Sequence, residues 1–555
     1  MQGRLRMRSN RCEHPQRQNR MCALVKGRLE GYWVEEEGLP GRSTVERPAP
    51  LKERRSEVLG TAKNAGLSFV GSAFNQVLHF GMTLLLARLL GPTGVGRFYT
   101  AFAFLALLLQ VGAGGGMRTS LTRFVAVHRA DNDMGALRGT VRLGVGLATL
   151  GATLMGVALF FAAPWLATAA FEDASLVPLL RLVAIALPAT VFTDCALSAT
   201  QGFKTMVPYA AVNLFFEPSF RLLLTAVLLL LGFGITGVMV ALLVTNWIAA
   251  VLATIALRRL IGATRTAPTY GGLGELFSFT AVSWVTSIAS NGLIWAGTLM
   301  LGLYVSAAEV GIYQMAARLV LLATIFIQPV TASFAPRVAD LYRRGRYENL
   351  RDTYLRVTSW IFRLALPSFV VLIVFPRELL SVFGPGFSAG AMVTVLLALG
   401  QLVNSATGPC GYMLLMSGRQ VIQMANNIAA VVLNVLLNLW LIPRYGMVGA
   451  AASWAVAIAG FNIVRVIQVR MIMGVLPVDS GLWKGVAAGV VGFGVAFLVS
   501  SLLEGFVALL LGSALMAFAY IAVILLLGID ADDRLVLGSL RRKLRFRSTQ
   551  ARSSL

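Results

Sequence analysis

Runs of roughly twenty apolar residues recur from Ala62 to Leu527, and no other feature limits the possible folds so strongly. Each run is long enough to cross a hydrocarbon core of about 30 Å as a helix, with its backbone hydrogen bonds satisfied inside the segment. About fourteen such runs can be laid out on that criterion, several separated by short Gly/Pro turns. The weak alternation of a membrane β-barrel, with its period of about ten residues, is absent. Composition agrees: 57% of residues are hydrophobic and 13% charged, against roughly 45–50% and 25% in soluble domains. The sequence predicts an all-α, multi-pass integral membrane protein.

Arginine and lysine placement orients the spans. One set of connections carries Arg118, Arg123, Arg129, Arg138 and Arg142, then Lys204, then Arg258, Arg259 and Arg265. The same side continues with Arg337 to Arg356, then Arg419, Arg470 and Lys484. The alternate connections, such as Phe171 to Ser175 and Ser306 to Glu309, are short and nearly free of cations. The basic side is expected to be cytoplasmic, with both termini on it, in the cell membrane. This asymmetry and the basic ends account for much of the formal charge of +23, so no nucleic-acid partner is implied. The run Arg541 to Arg547 either anchors topology or rests on anionic membrane lipids.

Residues 1–57 are polar and Arg-rich, without the apolar core of a signal peptide, and read as a disordered tail or an overextended start. Cys12, His14 and Cys22 fit no zinc spacing, and neither a metal nor any other cofactor is expected. Cys195 and Cys410 fall inside spans, which argues against a disulfide framework.

The chain repeats itself. Val95-Gly96-x-Phe98-Tyr99 is echoed by Val310-Gly311-x-Tyr313, about 215 residues on. Asn75 precedes Gly81 as Asn291 precedes Gly297, and Arg123 to Arg142 and Arg337 to Arg356 correspond as two basic cytoplasmic loops of matching length. Gly232 to Gly237 likewise answers Arg444 to Gly449. The expected organisation is a tail (1–57), two six-helix halves (58–265 and 266–475), two extra helices (476–528) and a basic cytoplasmic tail (529–555). Six is an even number, so both halves enter from the same side, related by a pseudo-two-fold axis along the membrane normal. Two such bundles leave a cleft that rocking opens to alternate faces.

The stretches "LLARLLGPTGVGRFYTAFAFL", "GMRTSLTRFVAVHRA" and "VGIYQMAARLV", with the glycine turns before the sixth and twelfth spans, carry a family likeness. Over roughly Ala62 to Ala522 the chain resembles the polysaccharide-transport branch of the multidrug/oligosaccharidyl-lipid/polysaccharide exporter superfamily. The resemblance implies a flippase that moves a polyprenyl-diphosphate oligosaccharide from the inner to the outer leaflet through a central, often cationic cavity.

Ionisable groups inside spans are costly and default to functional hypotheses. Arg318 stands about two turns into the eighth span, where the family often places a cation; it either meets a diphosphate in the cleft or snorkels to the surface. Glu217 and Arg221, four apart in the fifth span, either form a structural pair or open so that Arg221 meets phosphate and Glu217 takes a proton. Pro218 removes a backbone hydrogen bond between them. Asp194 and His79 complete the candidates for coupling to H+ or Na+, with Asp194 otherwise an interface anchor near Lys204. Asn75 and Asn291 either line the cleft for sugar hydroxyls or join helices.

Two glycine motifs are decoys. Gly232 to Gly237 matches Gly-x-Gly-x-x-Gly but follows no strand, and Gly112 to Gly116 lacks the Lys-Ser/Thr of a phosphate loop. No ATP-hydrolysing engine and no catalytic residues are visible. The competing functions are an ion-coupled multidrug exporter of the same superfamily, a peptidoglycan-precursor flippase, which sequence alone separates poorly, and a membrane glycosyltransferase or polymerase. The extra helices Trp483 to Leu527 and the basic stretches favour the lipid substrate over the drug. An enzyme would need a large loop bearing its acid, base or metal ligands, and the chain has only three histidines.

Overall fold

The computed structural model describes residues 51–112, 114–262, 266–324 and 327–528. Contacts divide the chain into units 1–61 and 62–555. Cys12, His14, Cys22 and the run Arg541 to Arg547 lie outside the described residues.

Every regular element among the described residues is helical. Apart from the short Val207–Tyr209 helix, the π-helical Leu166–Ala170 and Ala210–Phe216 and the 3-10 turn Phe387–Gly390, the first six are α1 (Leu51–Val111), α2 (Gly114–Ala130), α3 (Met134–Trp165), α4 (Leu176–Gly202), α5 (Glu217–Leu230) and α6 (Gly234–Ile261). They are followed by α7 (Leu273–Tyr304), α8 (Ala307–Ala323), α9 (Ile327–Arg343), α10 (Tyr347–Val374) and the short α11 (Pro376–Ser381). The remainder are α12 (Ala391–Thr407), α13 (Cys410–Met416), α14 (Gln420–Met473), α15 (Ser480–Leu502) and α16 (Gly505–Leu526). Among the described residues, ten stretches are long and apolar enough to cross a membrane, and the chain is a multi-pass membrane protein. Two of the ten are far longer than one crossing requires, and both are bent at a glycine: Gly91 in α1 and Gly446 in α14, each with positive φ.

The structure corrects the reading of the two basic stretches as loops. Arg123 to Arg142 and Arg337 to Arg356 form helical hairpins, α2–α3 and α9–α10, each closed by a tight turn. Asn132 in the first turn and Gly345 in the second take positive φ, and the Asp133 carboxylate accepts from the Ala136 amide at 2.8 Å. The arginines occupy only part of each helix surface. Leu121, Val125, Leu137 and Val141 are buried on the first hairpin, and Val338, Leu341, Leu350 and Tyr354 on the second.

The two echoing turns pack on one another. A Cβ on Gly96 would collide with the Ala307 carbonyl, and one on Gly311 would collide with the Pro92 carbonyl. Backbones approach this closely only because neither position carries a side chain. Around the contact, Arg88 Nε donates to the Val382 carbonyl at 2.8 Å and the Phe171 ring lies against Gly302. Arg97 pairs with Asp173 at 2.7 Å on the connection between α3 and α4. Partial burial pushes the Asp173 carboxyl up, but hydrogen bonds from Ser175 and Arg97 outweigh it and hold the group below its ordinary value.

At the basic end, Ser120 of α2 shares a 2.7 Å hydrogen bond with Thr280 of α7, and Gly116 leaves room for the α7 backbone at Thr280 and Trp284. Helices α15 and α16 dock through Gly489 against Leu366 and Gly512 against Phe375, forming a separate apolar cluster with α10. Gly232 and Gly234 both have positive φ at the start of α6, so the Gly-x-Gly motif is a turn between helices.

Candidate functional site

Helices α1, α5, α7 and α8 enclose a cavity of about 330 Å³, roughly two turns beneath the Gly91 bend. From the first limb of α1 come Asn75, His79 and Thr83, spaced by four so that they share one face. The second limb supplies Tyr99 and Phe102, α5 supplies Pro218 and Arg221, α7 supplies Trp295, and α8 supplies Arg318. A side chamber of about 120 Å³ continues between Asn75, His79, Tyr209, Asn213, Glu217 and Arg221. The two chambers thus gather five of the seven candidate residues: Asn75, His79, Glu217, Arg221 and Arg318.

Arg318 does not snorkel. Its guanidinium lies over the Tyr99 ring at 5.2 Å and the Trp295 ring at 5.6 Å. Aromatic faces hold a cation without neutralising it. Among the described residues, no carboxylate stands within ion-pair distance of Arg318.

Arg221 is only partly compensated. It pairs with Glu217, and Nη2 also donates to Asn246 Oδ1 at 3.3 Å. Asn246 Nδ2 in turn donates to Thr190 Oγ1 at 2.8 Å, fixing the amide. Arg221 Nε is buried without an acceptor in the protein, and Asn75 Oδ1 is buried without a donor. One unused donor and one unused acceptor therefore face a site that also holds two guanidiniums and one carboxylate. The site has a net positive charge.

The backbone of this region departs from a regular helix. Ala210–Phe216 is π-helical, and the Glu217 amide donates to the Val212 carbonyl five residues back. Pro218 follows and has no amide to give, so the wide turn absorbs the missing bond just before Glu217 and Arg221.

Two candidates stand elsewhere. Asp194 pairs with Arg118 at 3.3 Å, so its cationic partner in the structure comes from α2. Asn291 donates from Nδ2 to the Ser287 carbonyl of its own helix at 3.0 Å and does not line either chamber. Sequence reasoning missed Tyr99, Trp295, Asn213 and Asn246, although Tyr99 lies in the repeated turn and Asn246 is a polar group inside an apolar span. It also missed Arg465, in the last third of α14, which lines a second cavity of about 1240 Å³ toward the basic end. Among the described residues, no group of three or more His, Cys, Asp or Glu side chains could hold a metal ion.

With this geometry in place, the likeness to known proteins can be stated. Residues 61–342 match the family described as polysaccharide biosynthesis protein, and residues 283–440 match the MatE family. The "Probable low-salt glycan biosynthesis flippase Agl15" of Haloferax volcanii is 26% identical over 193 residues, covering 35% of this chain and 41% of that protein. The match therefore spans less than half the length of this archaeal relative. The lipid III flippase of Escherichia coli is 25% identical over 396 residues, covering 69% of this chain and 92% of the relative.

Among solved structures, the lipid II flippase MurJ in an inward closed conformation superposes with a TM-score of 0.67 at 13% identity, over 85% of this chain and 98% of that one. An inward-facing multidrug resistance MATE family transporter of the MOP superfamily superposes with a TM-score of 0.62 at 14% identity, over 72% and 94%. Identities this low speak for the fold alone. The family match covers just over half of the chain, and the chain belongs to the polysaccharide biosynthesis protein family.

Proposed function

We propose that this protein flips a lipid-linked oligosaccharide, carried on a polyprenyl diphosphate, from the cytoplasmic to the outer leaflet by alternating access. The single observation that carries the reading is Arg318, a guanidinium in the cavity that aromatic rings orient and that, among the described residues, no carboxylate within ion-pair distance neutralises. A planar fork of donors suits a diphosphate, and Arg221 Nε offers another donor on the facing helix. Asn75 Oδ1 supplies an acceptor for a sugar hydroxyl. Both relatives described above are named flippases, which supports the same substrate class.

The basic face is assigned to the cytoplasm by its arginines and lysines. The chain is read as fourteen crossings, two six-helix halves and an added pair, with the contact between Gly96 and Gly311 closing the outer side. Rocking of the halves would break that contact and expose the cavity outward. Glu217 and His79 are the groups placed to accept a coupling ion, whereas Asp194 is held by Arg118 outside the cavity. Export of cationic drugs fits less well, because the cavity holds more cationic than anionic groups.

Cells lacking the protein are expected to accumulate the lipid-linked intermediate on the cytoplasmic leaflet. Mass spectrometry of the lipid pool, combined with a leaflet-selective label, measures this. An unchanged pool together with new sensitivity to cationic drugs would overturn the proposal in favour of the exporter.

A further inference from the structure

Arg465 lies in the second limb of α14, on a stretch where charge is expensive. Its Nη2 donates to Asn427 Oδ1 at 2.7 Å and its Nη1 to Asn462 Oδ1 at 3.1 Å, while Nε is buried and has no acceptor. Asn462 Nδ2 donates to Asn404 Oδ1 at 2.9 Å, and Asn404 Nδ2 donates to Gln401 Oε1 at 2.8 Å. This chain of amides across α12 and α14 fixes the direction of the guanidinium. Every partner is neutral, so the charge is positioned and not cancelled.

The same cavity of about 1240 Å³ is also lined by Arg123 of α2. Arg123 rests over the Phe279 ring at 4.5 Å and the Phe124 ring at 5.6 Å. Among the described residues, neither arginine has a carboxylate within ion-pair distance. Glu275, also on the cavity wall, is exposed. The arrangement repeats the logic of the central site: a cation held by groups that do not discharge it, beside polar amides. The two cavities have no lining residue in common.

We propose that Arg465 and Arg123 form a second anion site, at the basic end of the molecule, that takes the phosphoryl group of a lipid. In the transport cycle this site receives the diphosphate before it reaches Arg318, an assignment that rests on the function proposed above. The guanidiniums recognise phosphoryl oxygens, and these come either from the substrate's diphosphate or from an anionic phospholipid headgroup.

Calorimetric titration of the purified full-length protein in detergent with geranylgeranyl diphosphate tests the site. The wild type is expected to show two binding events. Arg465→Gln is expected to remove or weaken one by about 10- to 100-fold, and Arg318→Gln the other. The event each variant keeps shows that it is folded, and Arg465→Lys is expected to retain part of the lost affinity. Displacement of the probe from the Arg465-dependent event by phosphatidylglycerol assigns that site to bilayer headgroups, and failure to displace it assigns it to the substrate. A single event that Arg318→Gln removes and Arg465→Gln leaves unchanged overturns the second site while sparing the central one. Binding that needs Arg465 but not Arg318 does the reverse. No binding by the wild type overturns both.

Discussion

Replacing Arg318 with glutamine is expected to reduce transport by about 10- to 150-fold, the loss of a charge-assisted hydrogen-bond pair worth about 1.5–3 kcal/mol. The guanidinium is already oriented over Tyr99 and Trp295, so the protein does not reorganise to present it. Glutamine keeps the approximate shape and removes the charge. Lysine keeps the charge and loses the planar fork, and Arg318→Lys is expected to fall between wild type and Arg318→Gln. Asn291→Ala, in contrast, is expected to transport normally, because that amide bonds within its own helix away from the cavity. Initial transport rates of the three variants at matched expression check this ranking. Equal rates for Arg318→Gln and wild type would remove the phosphate role.

The second large effect is expected at Gly96 and Gly311. A side chain at either position meets a carbonyl oxygen of the opposite turn, Ala307 or Pro92, and backbone cannot swing aside as a flexible side chain does. Overpacking of this kind costs about 1–3 kcal/mol, and here the strain is relieved by separating the two turns. Gly96→Leu or Gly311→Leu is therefore expected to shift the protein about 5- to 150-fold toward a state open on that side. A Leu322→Cys reporter on the cavity wall, in a background with the four native cysteines replaced, reads the change. A membrane-impermeant maleimide added outside should label the reporter slowly in the parent and quickly in either leucine variant. Unchanged labelling would show that this contact does not close the cavity.

Much of this could be read from the sequence, for physical reasons that differ from residue to residue. Membrane helices show themselves because the bilayer demands long apolar runs. Arg318, Arg221 and Glu217 show themselves because a charge inside such a run needs a reason. The same criterion applies to Arg465, which was masked by its place at the end of a span. The basic hairpins α2–α3 and α9–α10 were harder to see, since dense arginines hide the apolar stripe of Leu121 and Val125 or Val338 and Leu341. Asn291 shows the limit of repeat reasoning. Equivalent positions in two repeats fix depth, but the rotation of each helix about its axis follows from packing, so Asn75 reaches the cavity and Asn291 does not. Tyr99 and Trp295 look like ordinary interior aromatics until the fold brings both rings against one guanidinium.

Transport of a diphosphate-linked glycan across a bilayer by this chain alone is measured by reconstituting the purified protein into vesicles loaded with a fluorescent polyprenyl-diphosphate saccharide, followed by leaflet-selective quenching. Wild-type vesicles are expected to exchange the lipid between leaflets far faster than protein-free vesicles. An uncharged analogue lacking the diphosphate is expected to stay in its leaflet. Exchange at the protein-free rate, or equal exchange of the analogue, would rule out diphosphate-dependent flipping through the cationic cavity.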